Sequence, residues 1–190
     1  KIVKNDVFVA INGYKENGTE YISEAIEKGA VAIVAQRDED ISSFVSSSIT
    51  IIRVENIRKA LAIMAIAYYD NPASKLNMIG ITGTKGKTTT AYMTRDILLA
   101  SGKKTGMIGT IYNTYGDVTI ESSRTSPESL DLQKLLRDMV DAGIEYVVME
   151  VSSHALELYR VYGITFKIGV FTNLAPEHLD FHKTMENYLD

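Results

Sequence analysis

No cysteine occurs among the 190 residues. Disulfides, thiolate catalysis and cysteine-ligated zinc are therefore excluded, and the composition fits a reducing cytoplasm, the expected location. No apolar run approaches the roughly 18 residues a membrane span requires, and no secretory signal is visible. A basic stripe is also missing: acidic and basic residues are interspersed, the formal net charge is −4, and nucleic acid is not an expected partner. A phosphate ligand stays open, because a few placed cations suffice to hold one. Internal repeats and low-complexity segments are absent. Apolar residues make up 45% of the chain, enough for cores in one or two domains. The chain opens at Lys1 without methionine and closes at Asp190 inside a helical pattern, so both ends are expected to be cut.

What is present centres on residues 76–100. An apolar strand over 76–82 leads into Gly83-Thr84-Lys85-Gly86-Lys87-Thr88-Thr89, followed by a helical pattern over 91–100. Gly83 and Gly86 let the backbone turn sharply, and its N–H groups, with the positive end of the helix, can face a row of phosphate oxygens. Lys87 supplies a point charge, and Thr88 places a hydroxyl within reach of a Mg²⁺ riding on the same phosphates. The general pattern wants glycine six residues before the lysine, where this chain has Ile81, so the loop keeps its freedom by a different spacing.

Strands are expected over 6–11, 30–34 and 50–54, with helices over 21–28 and 57–69. Asp70-Asn71-Pro72-Ala73-Ser74 breaks the second helix and marks an expected boundary between a domain at 1–74 and a nucleotide domain at 75–190. Beyond the loop, strands are expected over 104–110, 146–149 and 167–172, a hairpin over 111–121 with Gly116-Asp117 at its tip, and a helix over 127–142 stopped by Gly143. Strands alternating with helices of ten or more residues predict an α/β fold: a small N-terminal α/β domain, then a phosphate-loop domain with a mostly parallel sheet flanked by helices.

In such sheets ligands gather beyond the carboxyl ends of the strands. Glu150 follows the apolar run 146–149 directly; it suits an acid that holds Mg²⁺, and equally a strand-end residue that caps the next helix or pairs with a lysine. Glu177-His178-Leu179-Asp180-Phe181-His182 offers imidazoles for a metal, though taken alone it also reads as a solvated polar turn. Ser122-Ser123-Arg124-Thr125-Ser126-Pro127 presents hydroxyls and an arginine before a helix, fitting an anionic or sugar-rich ligand or ordinary capping.

Taken together these motifs resemble the Mur ligases of peptidoglycan assembly, and the resemblance spans nearly the whole chain. It rests on Asn5-Asp6-Val7-Phe8-Val9-Ala10-Ile11 with Gly13-Tyr14-Lys15-Glu16-Asn17-Gly18, and on Gly80 through Thr90. Thr125-Ser126-Pro127-Glu128, Met149-Glu150-Val151-Ser152-Ser153-His154-Ala155-Leu156 with Arg160, and Phe171-Thr172-Asn173-Leu174 with His178-Leu179-Asp180 complete the set. The family's ATP loop accounts for the unusual glycine spacing. The resemblance implies an ATP-dependent ligase that adds the third amino acid to UDP-N-acetylmuramoyl-dipeptide through an acyl phosphate.

It further implies that Gly83, Thr84, Lys85, Gly86, Lys87, Thr88 and Thr89 bind ATP, that Thr88, Glu150 and His178 hold Mg²⁺, and that Lys87, Glu150 and His178 serve catalysis. Thr125, Ser126, Ser152 and Arg160 would hold the muramoyl-dipeptide, and Tyr14, Lys15 and Glu16 the nucleotide-sugar path of a UDP-sugar-binding first domain. Three departures stand out: Lys85 where relatives often have asparagine, Ser126 in place of threonine, and Leu158 at a place that is polar in some members. The family continues with a carbamylated lysine and an amino-acid-binding third domain, so the chain alone is expected to be inactive. The added amino acid and the oligomeric state are not written in these residues. Two rivals are another ligase of the superfamily, such as a folylpolyglutamate synthetase, and a nucleotide-binding module without chemistry. The Thr125-Ser126-Pro127 loop speaks against the first, and Lys87, Thr88, Glu150 and His178 together against the second.

Overall fold

A computed structural model describes residues 2–13, 16–44 and 49–189. The chain divides into two compact units, Lys1–Leu61 and Ala62–Asp190. In the first, β1 (Val7–Val9), β2 (Ala32–Gln36) and β3 (Thr50–Val54) form a parallel sheet in that order, with α1 (Ile22–Glu27) between the first two strands in sequence. Residues 32–35 of β2 are all buried, as expected of a central strand covered on both faces. Ile22, Ala25, Ile33, Ala35 and Ile41 form the core there. The first strand is shorter than the strand expected over 6–11: the Ala10 N–H still bonds the Val34 carbonyl, but Ile11 N–H turns back to Val9 O and ends the pairing. Helix α2 (Ile57–Tyr68) carries the chain across the division between the units.

The second unit is built on a six-stranded sheet of order β7-β6-β5-β8-β4-β9. Its strands are β4 (Asn77–Thr82), β5 (Thr105–Ile108), β6 (Tyr112–Tyr115), β7 (Val118–Glu121), β8 (Tyr146–Glu150) and β9 (Ile168–Phe171). β5, β8, β4 and β9 are parallel, and the hairpin β6–β7 adds antiparallel strands at one edge, so the expected mostly parallel sheet is borne out. Side chains alternate across it. Met78, Val147 and Met149 enter one core with Leu132, Leu136 and Met139 of α4 (Ser129–Asp141), while Ile79, Ile81, Met107 and Val148 enter another with Ala91 of α3 (Lys87–Ala100).

Helix α3 begins at Lys87, four residues before the expected start at Ala91. The reason lies at Gly86, whose φ of +85° turns the chain into the helix and leaves the three threonines in its first turn. A short helix α7 (Met185–Leu189) lies in the helical pattern at the end of the chain, while two others, α5 (Ser153–Glu157) and α6 (Leu179–His182), fall where no helical periodicity could be read. Four or five residues are too few to show one.

Candidate functional site

The carboxyl ends of β4, β5, β8 and β9 lie side by side, and the loops that leave them build the site. Residues 83–86 connect β4 to α3. Gly83 has φ +127°, a conformation essentially closed to other residues, and a Cβ there would clash with Thr172 Oγ1 and lie 2.8 Å from the Asn173 carbonyl oxygen. The loop is pressed against the segment that follows β9. Thr84 N–H donates to Asn173 O at 2.9 Å and Lys85 N–H to Asn173 Oδ1 at 3.0 Å. In return Lys85 O accepts from Thr172 Oγ1 at 2.7 Å and Asn173 Nδ2 at 2.9 Å. The buried Thr84 hydroxyl meets Ala175 N–H at 3.0 Å and Tyr188 OH at 3.0 Å.

The amides of 84 and 85 are thus already committed. Those of the first helical turn have no intrahelical acceptor, so the outward-facing donors are the ones that begin α3. Lys87 folds back, its Nζ donating to Gly83 O at 2.6 Å and Thr84 O at 3.1 Å, which braces the loop and sets a positive charge over it.

One residue on, Thr88 Oγ1 donates to Glu150 Oε2 at 2.7 Å. Glu150 ends β8 and is 0% exposed. Its other donors are Thr110 N–H to Oε1 at 2.9 Å and Thr110 Oγ1 to Oε2 at 3.1 Å. Among the described residues no basic side chain forms an ion pair with it. A buried carboxylate matched only by neutral donors fits a cation, because burying charge without a counter-charge is costly. No three His, Cys, Asp or Glu side chains among the described residues converge as a metal cage. A hard cation there would instead take hydroxyl, phosphate and water oxygens, as Mg²⁺ ordinarily does.

On the other side of Glu150 lie the hydroxyls. Thr125 Oγ1 is 3.1 Å from Thr110 Oγ1. Ser126, fully buried, donates from Oγ to the Glu150 carbonyl at 3.0 Å and accepts from Ser152 N–H at 3.1 Å. Ser152 caps α5, accepting from Ala155 N–H at 3.2 Å. Arg160 reaches back to Ser126 O at 3.3 Å and pairs with Glu128 at 2.9 Å. Residues 125, 126, 152 and 160, scattered in sequence, therefore converge beside Glu150.

His178 stands at the head of α6 with φ +57°, and its ring packs edge-on against His154 with centroids 4.9 Å apart. His154 follows Glu150 by four residues in sequence and lies in α5. Burial, then the nearby His178 and His182, hold the His154 imidazole below its ordinary pKa. Next to His178, Glu177 receives the Lys85 ammonium at 2.6 Å. Thr89 lies in the first turn of α3 beside Thr88.

Tyr14 and Lys15 lie outside the described residues. Glu16 belongs to the first unit, where it borders a surface depression of about 590 Å³ lined by Asn12, Gly13, Asn17, Glu20 and Tyr21. Two participants had no signal in the sequence. Thr110 holds Glu150 from the neighbouring strand end, and Gly109 must stay small because a Cβ there would collide with Glu150 Oε1.

Comparison with known proteins places these features in a family. Residues 81–190 match the Mur ligase middle domain, and residues 1–69 match a domain described as Mur ligase family, catalytic domain. The UDP-N-acetylmuramoyl-L-alanyl-D-glutamate--2,6-diaminopimelate ligase of Clostridium perfringens (strain 13 / Type A) is 55% identical over 188 residues, covering 99% of this chain and 38% of the relative. Its namesake in Bacillus licheniformis is 45% identical, covering 99% of this chain and 37% of the relative. Among solved structures, a ligase of the same name aligns with TM-score 0.81 at 26% identity, over 99% of this chain and 37% of that one. MurF ligase from Thermotoga maritima in complex with ADP aligns with TM-score 0.59 at 26% identity, over 100% of this chain and 39% of that one. The chain thus spans less than two-fifths of the length of these relatives.

Proposed function

The chain belongs to the Mur ligase family, and on that premise we propose that it is part of an ATP-dependent ligase joining a carboxylate to an amine. The proposed acceptor is UDP-N-acetylmuramoyl-dipeptide and the proposed amine 2,6-diaminopimelate, the substrates in the relatives' names. Residues 1–74 are proposed to take the uridine end, with Tyr14, Lys15 and Glu16 along its path, and residues 75–190 the ATP. The reaction is placed in the cytoplasm, where ATP is supplied; no helix among the described residues is long and apolar enough to cross a membrane.

A carboxylate resists attack by an amine because oxide is a poor leaving group. ATP supplies a phosphoryl group that makes a carboxylate oxygen into departing phosphate once the amine nitrogen has bonded to the carbon. Two anions must meet in the first step, and their repulsion has to be offset by positive charge and oriented dipoles. In this reading the amides of Gly86, Lys87, Thr88 and Thr89 face the phosphates, Lys87 adds its ammonium, and Gly83, Thr84 and Lys85 give the loop its shape. Thr88, Glu150 and His178 would hold Mg²⁺, whose charge would neutralise phosphate oxygens. Thr125, Ser126, Ser152 and Arg160 would orient the peptide end of the acceptor.

The observation that carries this reading is the Thr88–Glu150 hydrogen bond, which ties the first turn after the glycine loop to a buried carboxylate. Lys87→Ala in the complete protein is expected to lower turnover at least about a hundredfold, the scale for losing one transition-state stabiliser. Phosphate release with ATP, the dipeptide substrate and 2,6-diaminopimelate measures this; a rate near wild type would remove Lys87 from the reaction.

A further inference from the structure

Lys85 carries the second ammonium of the phosphate loop, and it is already engaged. Its side chain, 71% exposed, donates to Glu177 Oε1 at 2.6 Å. The backbone of Lys85 is held separately, by Thr172 and both ends of the Asn173 amide. The loop therefore does not need the ion pair to keep its path. Glu177, for its part, has His178 Nε2 3.9 Å from its Oε2. We propose that Glu177 is a displaceable internal counter-ion of the phosphate loop, holding Lys85 until nucleotide phosphates compete for the same ammonium. The proposal rests on the nucleotide reading above.

Charge supports it. Glu177 sets a carboxylate against the Lys85 ammonium, an anion where a phosphate oxygen would be favoured. Phosphates arriving at the first turn of α3 would compete with Glu177 for the Lys85 ammonium and open the pair. Glu177 is thus a positioning residue acting through Lys85, and it sets nucleotide affinity rather than the chemical step.

The test is equilibrium binding of ATP to the complete protein in EDTA, so that no divalent cation contributes, by competition against a fluorescent ATP analogue. Glu177→Gln removes the charge and keeps the size; it is expected to tighten ATP about two- to fivefold, the scale of an exposed ion pair. Lys85→Gln is expected to weaken ATP, and the double variant to match Lys85→Gln alone, because the effect of Glu177 passes wholly through Lys85. Glu177→Asp, which keeps the charge, should bind as wild type does. The gain from Glu177→Gln should fade at about 1 M KCl, where the screening length is roughly 3 Å. A strap that merely shapes the loop predicts the opposite sign, weaker ATP binding by Glu177→Gln in both backgrounds. That result, or unchanged affinity, overturns the proposal. Should the wild-type protein itself fail to bind ATP, the nucleotide reading fails, and this inference with it.

Discussion

Gly83 and Gly86 look interchangeable in the loop sequence, yet the structure gives them different tasks. Gly86 has φ +85° with nothing within 4 Å of where a Cβ would be, so alanine there meets only backbone strain. Gly83 adds steric overlap with residues 172 and 173 to a φ of +127°. Strain in the left-handed region is worth about 1–2 kcal/mol. We therefore expect Gly86→Ala to cost about that much in urea unfolding, and Gly83→Ala more, with a larger loss of ATP affinity. Equal effects would mean that the contact with 172–173 does not shape the loop. Glu150 was legible because it ends an apolar run, where an open parallel sheet presents its ligands. Thr110 was not, since only the pairing of β5 with β8 brings its amide to that carboxylate. Local sequence carries no mark of which strand end lies next to which.

Among elements, α4 shows how far periodicity reaches. The helix expected over 127–142 is there, and Leu132, Leu136 and Met139, which recur at helical spacing, are fully buried. Leu136→Ala is expected to destabilise the second unit by about 2–5 kcal/mol, as large-to-small changes in a packed core do. Chemical denaturation followed by circular dichroism would show it, and a change below about 1 kcal/mol would contradict the packing described. The hairpin β6–β7 was legible through its two-residue tip, Gly116-Asp117, with Tyr115 paired to Val118. The start of α3 was not. Threonines at 88–90 weaken a helical pattern, and only the turn at Gly86 shows that they begin the helix.

At the scale of the whole chain, the mostly parallel sheet followed from alternating strands and helices, but its order could not. β8, late in sequence, sits between β5 and β4, which is what sets Glu150 beside Thr88 and Thr110. The compact units part between Leu61 and Ala62, inside α2, whereas the family matches end at residue 69 and resume at 81. A helix shared by two packed bodies has no composition break at its middle, so no sequence signal marks that point. The claim on which the whole account turns is that a nucleotide and its cation meet at the junction of loop 83–89 with Glu150. A crystal structure of this chain soaked with a non-hydrolysable ATP analogue and Mn²⁺, with the manganese located by its anomalous scattering, tests it directly. The account predicts manganese against Thr88 Oγ1 and the Glu150 carboxylate, with phosphates on the amides of residues 86–89. Nucleotide density elsewhere on the chain, with the loop unliganded, would contradict it.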